Sequence, residues 1–163
     1  MAGYTLGRAA ILDGLNALQT QSYGSESRGG AAKSDVIVSP GEILDLAPSE
    51  LDILLAMSQP ALDTHLRHLK PGGILIHDSD LAKLPGPRER SFGIPAATTA
   101  QEKFGRDVVA NAIFLGALAA ATRVVSADAL AKAIAESVPP KTVDLNLAAF
   151  EWGRSRSADL SRD

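Results

Sequence analysis

The sequence predicts an α/β fold, a three-layer sandwich built on a mostly parallel open sheet. Three observations carry this. Compact aliphatic and β-branched runs at 33–39, 51–57 and 73–78 alternate with segments whose apolar residues recur at spacings of three and four. The runs are closed by turn formers or helix caps, Pro40-Gly41 after one and Ser58-Gln59-Pro60 after another. The 163 residues suit one domain with a sizeable core. The strand that normally opens such a domain has no counterpart here, because the chain starts at Met1 almost inside its first helix.

Residues 5–19 read as that helix, with Leu6, Ala9, Ala10 and Ala17 in register and Thr5 as N-cap. Residues 22–32 read as a loop, and Lys33–Ser39 as a strand ended by Pro40-Gly41. The run Leu51–Met57 suits a strand buried on both faces. Ser58 caps the next helix and Pro60 fits its first turn; that helix runs through Leu69 and stops at Lys70-Pro71-Gly72-Gly73. A strand over Gly73–Asp78, a polar loop over 79–90 and an extended piece over 91–95 follow. Helix returns over 98–121, interrupted near Gly105. Its small residues, Ala110, Ala112, Gly116 and Ala117, predict close approach to a neighbour. Ser126 caps a helix over 127–136 that Pro139-Pro140 ends, with Asp128 favourably placed in its first turn. A last helix covers 142–152. The domain is therefore set at 1–153, with 154–163 as a flexible polar tail.

Composition narrows the function. With a net charge of -3 and basic residues scattered apart from Arg88, Arg90 and the tail, the chain lacks the footprint of a nucleic-acid binder. The longest apolar stretch, 108–121, is short for a membrane span and reads as a buried helix. No secretory leader pattern precedes the first helix, so a cytoplasmic location is expected. The absence of cysteine excludes disulfides, thiolate nucleophiles and cysteine-ligated iron–sulfur clusters on this chain. His65 and His68 stand three apart on a helix, but no third ligand follows from the sequence, and no metal site is predicted.

The candidate site is the loop Ser22-Tyr23-Gly24-Ser25-Glu26-Ser27-Arg28-Gly29-Gly30. Gly29 and Gly30 allow close approach of another molecule to the backbone, Arg28 offers a planar fork of donors, and Tyr23 can stack or donate. Glu26 either orients Arg28 or pairs with it across an interface. The alternative is a plain glycine-rich connector with a solvated ion pair. Ser58 and Gln59, at a strand end and helix start, suit ligand binding or N-capping alone. Asn111, in an apolar helix, needs a partner if buried. His77 and Asp78 at another strand end are weaker candidates, and no residue is singled out as catalytic.

These motifs, in order, resemble the gamma subunit of the 2-oxoacid:ferredoxin oxidoreductases. The same unit occurs as a domain in the fused pyruvate and indolepyruvate enzymes, and the ketoisovalerate enzymes are of the same type. The matching stretches run from Ala2-Gly3 and Leu6-Gly7 through the Ser22–Gly30 loop, Asp35–Ser39, Asp52–Leu62 and Lys70–Ile76. Pro95-Ala96, Asn111, Leu115-Gly116-Ala117 and Leu145–Phe150 complete the series, so residues 2 to 153 are covered. The family's opening strand and its Gly-Gly-Gln-Gly turn are absent. A late start, a shortened chain or a lineage difference would each account for that.

The resemblance implies oxidative decarboxylation of a 2-oxoacid to its acyl-CoA in a hetero-oligomer. Thiamine diphosphate, a divalent cation, iron–sulfur clusters and coenzyme A would serve the whole complex, none held by this chain alone. It implies alpha, beta and cluster-binding delta subunits as partners, and ferredoxin indirectly. This chain would form part of the active-site lid and of the CoA or subunit interface, through Tyr23, Gly24, Glu26, Arg28, Gly29 and Gly30. Pyruvate, ketoisovalerate and 2-oxoglutarate all stay open as substrate, with a slight lean to 2-oxoglutarate in the loop's wording. Two rivals remain. Leu69–Ile76 resembles a turn and strand of S-adenosylmethionine-dependent methyltransferases, although the Gly-x-Gly turn those enzymes need early is missing. A stand-alone binding module is the other.

Overall fold

The computed structural model describes residues 1–22, 32–47 and 49–160, with backbone alone for 158–160. Helix α1 (Ala2–Leu12) leads into an antiparallel hairpin of β1 (Asn16–Ser22) and β2 (Lys33–Ser39). Then come β3 (Leu51–Ala56), α2 (Gln59–His65) with a 3-10 turn over Leu66–His68, β4 (Leu69–Asp78) and β5 (Ser91–Ile94). Helices α3 (Ala96–Glu102), α4 (Ala110–Thr122), α5 (Ala127–Ser137) and α6 (Val143–Leu160) complete the chain. Strands β3, β4 and β5 form a parallel sheet in that order, while β1 and β2 form a separate two-stranded sheet.

Alternation along the strands builds the layers, because successive side chains leave a strand on opposite faces. Ile74, Ile76 and Ile94 join α1, α4, α5 and α6 in the main core, with Ile53, Leu55 and Phe92 packed against it. Leu54, Ala56 and Leu75 face the other way, onto Leu62 of α2 and Ala82 of the β4–β5 connection. The α/β sandwich expected from sequence is therefore present. Full burial of a side chain such as Leu75 or Ile76 contributes roughly 1.5–3 kcal/mol.

Three boundaries differ from the sequence reading. The helix expected over 5–19 ends at Leu12, and Asn16–Ser22 is strand: paired residue for residue with β2, it gains a full ladder that its weak helical spacing cannot match. Asp13 secures this end, its carboxylate accepting from the Ser126 backbone N–H and hydroxyl at the start of α5. The helix expected through Leu69 stops at His65, and β4 already starts at Leu69. Leu51 pairs with Leu69 but Ile53 with Ile74, so the Lys70–Gly73 segment bulges within the strand. The interruption expected near Gly105 in the 98–121 helix is present between α3 and α4, at a φ of 67° that only glycine adopts freely. The last helix does not stop at 152 but reaches Leu160. Gly153 lies against the Ile113 backbone of α4, and Ser157, which the sequence reading put in the tail, is buried.

Candidate functional site

The carboxyl ends of β3 and β4 carry Ser58, Gln59, His77 and Asp78, and the structure brings three of them to one task. The β4–β5 connection, residues 79–90, contains no helix. Parallel neighbours are usually joined through a helix that satisfies its own backbone; a bare crossover must find its hydrogen-bond partners elsewhere. Gln59 accepts from the Lys83 N–H at 2.7 Å and donates to the Lys83 carbonyl at 3.2 Å and to the Asp63 carboxylate at 2.8 Å. His77 holds Nδ1 3.0 Å from the Ala82 carbonyl, an acceptor only, so Nδ1 carries the proton. The buried Asp78 carboxylate accepts from the N–H groups of Asp80, Leu81 and Ala97 at 3.0, 3.2 and 2.9 Å.

Asp78 also replaces a missing cap. Helix α3 begins after Pro95, which has no side-chain acceptor, and the Ala97 N–H is met by Asp78 instead. Ser58 caps α2, its hydroxyl accepting from the Ala61 N–H at 3.4 Å. Asn111 stands apart. Half-buried near the start of α4, its amide donates a long bond of 3.4 Å to the Val108 carbonyl.

Tyr23, Gly24, Glu26, Arg28, Gly29 and Gly30 lie outside the described residues. Their place in the chain is between the paired ends of β1 and β2, Ser22 opposite Lys33. Lys33 is ion-paired to Asp35 at 2.9 Å. His65 of α2 is held below the usual histidine range, first by its burial and then by the Lys33 ammonium and His68. The His65 and His68 rings lie 6.4 Å apart, and among the described residues no three His, Cys, Asp or Glu side chains gather closely enough to hold a metal ion. Also among these residues, no helix is long and apolar enough to cross a membrane.

The family model described as "Pyruvate ferredoxin/flavodoxin oxidoreductase" matches residues 1–156. The chain is 45% identical over 170 residues to a 2-oxoglutarate synthase subunit KorC of Methanothermobacter thermautotrophicus, covering 99% of this chain and 90% of that protein. It is 32% identical to a ketoisovalerate oxidoreductase subunit VorA of the same organism, covering 93% of this chain but 33% of that longer one. The crystal structure of the gamma subunit of a keto/oxoacid ferredoxin oxidoreductase from Geobacter sulfurreducens PCA superposes with a TM-score of 0.86. It is 43% identical, covering 97% of this chain and 90% of that one.

Proposed function

This chain belongs to the pyruvate ferredoxin/flavodoxin oxidoreductase family, and we propose that it is the non-cluster subunit of a 2-oxoacid:ferredoxin oxidoreductase that acts on 2-oxoglutarate. The observation that carries the reading is the match along 90% of a 2-oxoglutarate synthase subunit, at higher identity than the match to the ketoisovalerate subunit. The methyltransferase alternative loses its support, since the Leu69–Ile76 stretch it rested on lies within the matched region.

The family's cofactors do not fit the residues described here. No cysteine is present to ligate a cluster, and the described acidic and imidazole groups do not converge on a divalent-ion site. Thiamine diphosphate, its cation and the clusters belong to alpha, beta and delta chains of the same complex, and ferredoxin docks away from this subunit. The side chains at the sheet edge fix the crossover, which makes that edge a rigid wall rather than reacting machinery. The 23–30 loop, with Tyr23, Gly24, Glu26, Arg28, Gly29 and Gly30, closes over the neighbouring reaction centre and meets CoA or the adjoining subunit. The complex works in the cytoplasm.

Reconstitution of the complex with and without this chain tests the reading. Omission should abolish CoA-dependent ferredoxin reduction with 2-oxoglutarate, and pyruvate and ketoisovalerate should be poorer substrates. Turnover of a 2-oxoacid by the isolated chain, or an unchanged rate without it, would overturn the proposal. Arg28→Ala separates the two roles of the loop: a raised KM for CoA marks ligand contact, whereas weaker assembly at unchanged KM marks an interface.

A further inference from the structure

Arg88, in the second half of the helix-free crossover, is a half-buried cation without a carboxylate among the described residues. Its Nη2 donates one long bond of 3.4 Å to the Lys70 carbonyl, and its Nε is enclosed by protein with no acceptor. The four ion pairs found among the described residues do not include it. A guanidinium stays charged and carries five N–H donors, and withdrawing it from water is unfavourable unless acceptors face it.

The side chain lines a hollow of about 280 Å³ whose other walls are Leu66, Leu84, Pro85, Gly86 and Pro87. Those walls are apolar and the prolines fix their backbone, so little conformational freedom is lost when something packs there. Along the chain the segment is basic: between positions 83 and 90, Lys83, Arg88 and Arg90 stand against Glu89 alone. A half-buried arginine framed by apolar side chains is a common composition of an anchoring spot at an interface.

We propose that this hollow docks an acidic segment of another subunit, which presents a carboxylate to Arg88 while apolar side chains pack on Leu84, Pro85 and Pro87. The inference rests on the reading of this chain as a subunit, and assigns it a contact surface made of different residues from the 23–30 loop. The missing acceptor of Arg88 then comes from the partner, and the surplus positive charge of the 83–90 segment steers the encounter.

The test compares wild type, Arg88→Ala, Arg88→Lys and Pro85→Glu, each reconstituted with the partner chains, by the dilution at which the complex dissociates. Arg88→Ala should weaken assembly on the order of tenfold or more, Arg88→Lys should recover part of it, and high salt should shrink the difference. Pro85→Glu, which offers Arg88 a carboxylate from within the chain, should weaken assembly in the same way. The thermal midpoint of the isolated chain, unchanged in Arg88→Lys and Pro85→Glu, keeps these effects separate from misfolding. Assembly of all four chains at equal strength overturns the docking site and leaves the subunit reading intact. Failure of the wild type to assemble overturns both. Saturable binding of inorganic phosphate by the isolated wild type, lost in Arg88→Ala with assembly untouched, overturns docking in favour of a small-anion site.

Discussion

Gln59 and Lys83 are joined by two opposed hydrogen bonds, the Gln59 side-chain carbonyl accepting the Lys83 N–H and its amide donating to the Lys83 carbonyl. A side chain here stands where a neighbouring strand or a helical turn would normally satisfy a peptide group. The bare connection is thereby tied at Lys83 to the first turn of α2.

Gln59→Leu is expected to lower stability by about 1 kcal/mol, discounted because the Lys83 backbone regains water when released. Gln59→Glu keeps the acceptor but loses the donor and places a carboxylate beside Asp63. Urea denaturation should show it no better than the Leu variant; recovery to wild-type stability would contradict the paired-bond account.

Gly153→Ala tests the α4–α6 crossing. Alanine in a helix interior normally gains roughly 0.5–1 kcal/mol over glycine. Here a β-carbon would collide with the Ile113 carbonyl, and one on Gly116 with that of Phe150. Both substitutions should instead cost about 2–3 kcal/mol by overpacking, read from the denaturation midpoint. A gain in either would mean that the helices are further apart.

Arg123 ends α4 with a left-handed φ of 53°. Arg123→Gly removes that backbone strain and should raise stability by about 1 kcal/mol. Calorimetry reporting a loss would point to a contact made by the guanidinium.

His65 gives a pH dependence of known sign. Its folded-state pKa lies below 6.5, so the unfolded chain binds the extra proton first as pH falls. Burial pushes hardest in this direction, Lys33, His68 and Arg67 add to it, and Asp35 opposes them. Stability should therefore be unaffected by His65 well above 6.5 and should decline as pH drops through that value toward the depressed one. His65→Gln should flatten this part of the stability–pH curve, and an identical slope in the variant would dismiss the assignment.

Much of this architecture was legible. β2 matches its expected bounds, β3 lies within its own, and Ser58 and Ser126 cap the helices that follow them. What escaped depends on partners far away in the chain. Nothing around Asn16–Ser22 announces a strand until β2 is laid beside it. Asp78 caps a helix whose Ala97 lies 19 residues on, a spacing that no local capping pattern covers. Gly153 in a polar stretch reads as a helix end, yet it is there because a second helix passes over it. The candidate loop over 23–30 lies outside the described residues; of the lesser candidates, Gln59, His77 and Asp78 were legible only as residue types at strand ends, and geometry makes them anchors for the crossover.

The β1–β2 ribbon shares no strand pairing with β3–β5 among the described residues. Its support comes instead from α1, where Gly3 fits against Ser34 and Val36 while Ala9 and Ala10 enter the main core. Reorienting this arm would thus disturb side-chain packing beneath one helix and leave every backbone ladder whole.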